Sequence, residues 1–155
     1  GGTGANPSWV DASGGKTLGV TQYTSNTRTA LPNADTYNFW DTNYTQIKAN
    51  SKLIIDVNLI GHTNNNGCVN FDFEYDGTTY QGFGAYNYTA HSNSHAMTYR
   101  RMITGASSTG AKNFKYQYDH ASSSGSPFNI WNPNATDDNR LEQTVSTLII
   151  TEMDF

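Results

Sequence analysis

The residues whose types could do chemistry are few and loosely arranged. Asp72, Glu74 and Asp76 alternate through Cys68–Asp76, which would set carboxylates about 7 Å apart along one side of a strand. Such a row suits a divalent cation or the acid pair of a glycosidase. The same alternation is the ordinary wet side of a half-buried strand, and that plainer reading is carried forward. His91 and His95 bracket Ser92-Asn93-Ser94. On a helix the two would share a face and hold zinc, as in H-E-x-x-H, but the Glu is missing and the segment is not helical. Asp137-Asp138 follows Asn132-Pro133-Asn134 without the ladder of oxygen ligands of a calcium loop. There is no G-x-S-x-G elbow, phosphate-binding loop or dinucleotide fingerprint. No Ser–His–acid set is singled out by spacing, although a triad is assembled in space rather than along the chain. The expectation is a protein that is not an enzyme and uses no cofactor or metal.

Strands must position whatever these residues do. Period-2 alternation recurs along the chain and helical periodicity is almost absent. Over Lys52–Gly61, Leu53, Ile55, Val57 and Leu59 share one face, with Ile54, Asp56, Asn58 and Ile60 on the other. Phe71, Phe73 and Tyr75 alternate with acids over Cys68–Asp76, and Phe114, Tyr116 and Tyr118 alternate with Lys115 and Gln117 over Asn113–Asp119. Met97, Tyr99, Arg101 and Ile103 line one side of His95–Ile103. Further strands are expected at Leu18–Thr24, in Tyr37–Ile47 and at Thr78–Phe83. Asn64-Asn65-Asn66-Gly67 and Asp76-Gly77 carry hairpin-turn chemistry, and Gly105–Gly110 and Ser122–Pro127 are polar loops. About eight to ten strands in an all-β, antiparallel jelly-roll-like sandwich follow.

Composition narrows the function classes. The 155 residues suit one domain with a short leader. Residues 1–16 read as a Gly/Ser/Asn-rich linker and 17–155 as the sandwich. The 18 Asn, 20 Thr and 13 Ser make up a third of the chain, and charged residues only 14%. Nine Lys plus Arg against 13 Asp plus Glu leave a net −4, which does not attract a phosphate backbone, so no nucleic acid is expected. No apolar run approaches the roughly 20 residues of a membrane span, so no membrane insertion is expected. The single cysteine, Cys68, beside Val69 and Phe71, reads as a small buried apolar residue. The chain starts on Gly1, as a processed chain or an excised fragment would.

Two features point outward. In Leu141–Phe155, Val145, Ile149, Met153 and Phe155 fall on one face and Leu148 and Ile150 on the other. A two-layer sandwich covers only one face of a strand, so the second is covered by loops of its own chain or by a partner, and another copy of the chain is the simplest partner. Leu148, Ile149, Ile150 and Met153 are therefore the candidate oligomer interface. Segments rich in Tyr, Ser, Gly and Asn, at Gly84–His95 and His120–Asn134, suit surface recognition, because aromatic area comes with adaptable hydrogen bonds. Tyr86, Tyr88, His91, His95, Phe128 and Trp131 are the candidate contacts, with a glycan among the ligands such residues serve.

Three phrases resemble one family. Gly2-Thr3-Gly4-Ala5-Asn6-Pro7-Ser8-Trp9-Val10 is similar to the phrase that ends the shaft repeats of phage tail-fibre and tail-spike proteins. Thr24–Leu31 followed by Ser51-Lys52-Leu53-Ile54-Ile55-Asp56-Val57 resembles the opening of the domain at the tip of such fibres, and Thr147-Leu148-Ile149-Ile150-Thr151-Glu152-Met153 resembles its last strand. The resemblance spans nearly the whole chain by order of features. It implies a homotrimeric, tumour-necrosis-factor-like jelly roll in an extracellular virion. There the final strand lies near the threefold axis and the far loops bind a host cell-surface glycan or protein. It carries no catalytic motif, and receptor-binding positions vary, so none is transferred. Rival readings are a secreted carbohydrate-binding module and a structural virion protein without a receptor.

Overall fold

A computed structural model describes residues 15–31, 36–63, 67–87, 93–120, 128–137 and 143–155. Ten strands run in chain order: β1 (Lys16–Ser25), β2 (Thr29–Ala30), β3 (Thr36–Gln46), β4 (Lys52–Thr63), β5 (Gly67–Tyr75), β6 (Thr78–Asn87), β7 (Asn93–Thr104), β8 (Gly110–His120), β9 (Phe128–Trp131) and β10 (Ser146–Asp154). The alternating runs read from the sequence lie inside these strands, except for Asp76 at the end of Cys68–Asp76. The first strand begins one residue ahead of the expected boundary at 17.

Two antiparallel sheets pack face to face. In the first, β10 lies between β1 and β4, and β7 covers the other edge of β4 along its length. The edge of β4 that holds β10 at Lys52–Asn58 goes on to hold β9 at Gly61–Thr63, and β9 in turn pairs with β2. The second sheet runs β3-β8-β5-β6. With the short β2 and β9 set aside, the eight long strands are ordered first-eighth-third-sixth and second-seventh-fourth-fifth, the winding of a jelly roll.

The expected alternation becomes the core. Leu53, Ile55, Val57 and Leu59 of β4 and Leu148 and Ile150 of β10 face Phe71, Phe73, Tyr75, Phe114, Tyr116 and Tyr118 across the sandwich, all buried. Phe73 stacks on Tyr80 at 4.9 Å and on Phe114 at 5.8 Å. At the side of the sandwich, the Arg101 guanidinium lies 5.4 Å over the Tyr80 ring, which lets a cation occupy an inward position.

Three expectations change. Asn64–Gly67 does not close a hairpin: β4 and β5 belong to opposite sheets, so this segment crosses between layers. One edge of β4 is taken by β7 and the other by β10 and β9, so neither is left for β5. Asp76 leaves the acidic row, because it sits with Gly77 in the β5–β6 turn, with φ of 49° and 77°, the conformation of a type I′ hairpin. Leu148 and Ile150 are fully buried in their own chain's core, so they cannot meet another copy. They lie on the one face of β10 that the second sheet covers. Ile149 and Met153, on its other face, are half-exposed.

The register gives the molecule two unlike ends. β1 begins opposite the end of β10, at Lys16 and Asp154, and Met153 lies opposite Lys52. This near pole also holds the connections 47–51, 76–77 and 105–109. At the far pole β4, β6 and β8 end and β3, β5 and β7 begin. The connections 32–35, 64–66, 88–92 and 121–127 therefore all join strand ends at that pole.

Candidate functional site

The far pole gathers the backbone of most expected contacts. Tyr86 lies near the end of β6 opposite Cys68, His95 lies in β7 opposite Gly61, and Phe128 opens β9 opposite Thr63. Their side chains, like all of Tyr88 and His91, lie outside the described residues. Cys68 belongs to β5, and its side chain too lies outside them.

Trp131 is the correction. It is 6% exposed, and its ring meets Phe39 at 5.3 Å and Trp40 at 5.4 Å, both edge to face. It occupies the inward register of β9, so it offers no ring to a ligand. Its Nε1–H donates to Ser146 Oγ at 3.0 Å. That hydroxyl also accepts the Ile60 N–H at 2.9 Å and donates to Asn132 Oδ1 at 2.6 Å. Asn132 takes a φ of 51°, which Asn tolerates better than most residues. Its N–H donates to Ile60 O at 3.0 Å and its Nδ2 to Ser25 Oγ at 3.0 Å. One buried knot thus ties β1, β4, β9 and β10 together beneath the far pole.

A second fastening lies beside it. Arg28 donates through Nε to Asp137 Oδ2 at 2.8 Å and through Nη2 to Oδ1 at 2.5 Å. The Asp137 side chain is 3% exposed and that of Arg28 35%. The Arg28 bonds hold the Asp137 carboxyl below its ordinary value. Burial opposes them, and the Asn134 N–H helps. The turn is closed by the Asp137 N–H on Asn134 O at 2.9 Å and the Thr136 N–H on Asn134 Oδ1 at 2.9 Å. Asp137 is therefore committed to an arginine rather than open to a cation.

His62 Nδ1 lies 3.0 Å from Ser94 Oγ, a distance at which a base could activate a hydroxyl. His62 is buried, however, and Asp137 gives both oxygens to Arg28, so among the described residues no acid orients the ring. The acids of β5 are also partnered: Asp72 Oδ1 accepts the Gly82 N–H at 3.1 Å, and Glu74 lies 3.7 Å from Lys115. Gly82 has no substitute there, because a Cβ would stand 1.9 Å from Phe71 O. Among the described residues no group of three or more His, Cys, Asp or Glu side chains comes together as a metal site. Among the same residues no Tyr or Trp is exposed on the outside of either sheet.

The described part of the far pole is fastened by the Ser146–Trp131–Asn132 knot and the Arg28–Asp137 clasp. Sequence reasoning missed both fastenings. The one available clue was Asp137-Asp138, acids in a segment with no visible ligand ladder. No protein-family model matches the chain, and no curated protein matches it.

Proposed function

We propose that this chain is the distal head of a virus or phage fibre, a trimer that attaches to a host cell-surface glycan or outer-membrane protein. One observation carries the proposal: β1 starts and β10 ends at the near pole, while the connections with the recognition-type composition join strands at the opposite pole. A shaft preceding β1 enters at one end, and the Tyr-, Ser- and Asn-rich segments join strands at the other. The jelly-roll winding and the buried knot under the far rim agree with this layout. They supply a stiff mount for surfaces whose sequence can change without disturbing the core. Three weak sites side by side gain avidity by a factor of roughly 10² to 10⁴, so a single site need not bind tightly.

The test is retention of the fluorescently labelled chain on a panel of intact Gram-negative cells. Saturable retention on some strains, displaced by unlabelled protein, is the expected result. Absence of saturable retention on every strain, from a folded protein, contradicts the proposal.

A further inference from the structure

The outer face of the β1-β10-β4-β7 sheet changes character along its length. Toward the far pole it is polar, with Gln22, Asp56, Asn58 and Arg100 on neighbouring strands. Toward the near pole its larger side chains are mostly apolar. Val20, Thr151, Ile54 and Met102 form one row over the four strands, and the next row holds Thr17, Met153, Lys52 and Thr104. Val20 is 62% exposed and Met102 56%, while Ile54 and Met153 are half-buried. Phe155 continues the outward register of Met153 and is 68% exposed.

The chain joins the sheet at that same corner. The Phe155 ring lies against the Gly15 backbone, where a Cβ would stand 2.6 Å from it. Residues 1–14 lie outside the described residues and connect to the fold beside this ring. They are Gly, Ala, Ser, Thr and Asn apart from Pro7, Trp9, Val10 and Asp11.

We propose that residues 1–14 turn back over this corner, with Trp9 and Val10 covering the apolar patch and Asp11 meeting Lys52. Reach allows it. Trp9 stands six residues before Gly15, a span of up to about 20 Å, and the patch measures about 14 Å along the strands and about 14 Å across four of them. Size favours this occupant over a second copy. A footprint of about 200 Å² suits one tryptophan, which buries roughly 150–250 Å², whereas a stable contact between two proteins takes about 800 Å² from each. Charge agrees. Asp11 is the sole charged residue in 1–14. Lys52 donates to Thr104 Oγ1 at 2.7 Å and has no carboxylate partner among the described residues. Attachment through Gly15 also holds the segment beside the patch at an effective concentration on the order of millimolar. The proposal goes beyond the head reading and does not rest on it.

Acrylamide quenching of tryptophan fluorescence tests this with the full chain. Trp9 is one of three tryptophans, and Trp40 and Trp131 are buried in the core. In the wild type all three should be shielded. Val20→Glu and Met102→Glu, both at exposed positions, should each open about one third of the emission to the quencher, the share of one tryptophan in three. The strand signal in circular dichroism should persist in both. Adding Trp9→Phe to Met102→Glu should remove the open fraction. Thr98→Glu, on the polar half of the same face, should leave the shielding intact. An open tryptophan in the wild type, or shielding untouched by both patch substitutions, overturns the proposal. So does shielding lost on dilution while sedimentation shows several copies falling to one, which assigns the patch to a second copy. Retention on cells is not read here, so the head reading keeps its own test.

Discussion

Trp131→Ala should lower the stability of the chain by about 3–5 kcal/mol, the usual cost of removing a large aromatic side chain from a packed core. The ring is wedged edge-on between Phe39 and Trp40, and neither backbone nor neighbours can close over a void of that size. The substitution also takes one of the hydrogen-bonding partners from Ser146, which sits at the centre of the far-pole knot. For a chain of this length, a loss of that size corresponds to roughly 10 °C in melting temperature. Urea denaturation checks it through the midpoint at constant slope. Trp131→Phe should recover part of the loss, because it restores ring volume but not the N–H. A folded Trp131→Ala protein of unchanged stability that fails only to bind cells would return Trp131 to the ligand surface.

Glu152→Gln should cost on the order of 3 kcal/mol at neutral pH. The Glu152 carboxylate is fully buried and accepts four donors. Tyr44 Oη and the Ile47 N–H reach Oε2 at 2.6 and 2.8 Å. The Lys48 N–H and Ser51 Oγ reach Oε1, each at 2.7 Å. An amide has only one oxygen, so its NH₂ would face two of those donors. Burial drives the Glu152 carboxyl upward, but the donors outweigh it and hold it below its ordinary 4.5. Because the folded value is the lower one, the stabilisation is present in full above about pH 4.5 and fades as pH falls through the folded value. The gap between wild type and Glu152→Gln should therefore be widest at neutral pH and shrink in acid. Asp137, held low by Arg28, has the same sign and leaves the variant some acid sensitivity of its own. Urea midpoints of both proteins at pH 7 and pH 3 decide this. A gap that widens in acid contradicts it.

The strands were legible because each carries its own evidence. The alternation of Leu53, Ile55, Val57 and Leu59, or of Phe114, Tyr116 and Tyr118, needs no partner to be read. Pairing was less legible. The Asn-Gly at 66–67 has the local chemistry of a tight reversal, yet the edges of β4 are taken by strands far away in sequence, and local composition holds no trace of that competition. Trp131 was misjudged for a related reason. It stands between two polar segments, and the four-residue β9 becomes a strand only by pairing with the end of β4 and with β2. Arg28 and Asp137 are 109 positions apart, and nothing near either one names the other.

Glu152 differs, because its clue was in plain view. It continues the inward series Leu148, Ile150, and a carboxylate in a core register must be met by donors. The double-sided apolar character of β10 was read correctly, but alternation alone does not say which face belongs to the chain's own core. The second sheet settles that in favour of Leu148 and Ile150. It leaves Ile149 and Met153 on the outside.

On the proposed function the far pole is the gripping end, and comparing the two poles on cells tests that most directly. The measurement is retention of three proteins on a strain that holds the wild type: the wild type, a variant with residues 88–92 replaced by Gly and Ser, and a variant carrying Thr79→Ala beside the near-pole turn. Retention should be lost in the far-pole variant and kept in the near-pole one. Equal retention of all three, or loss in the near-pole variant alone, would contradict the account.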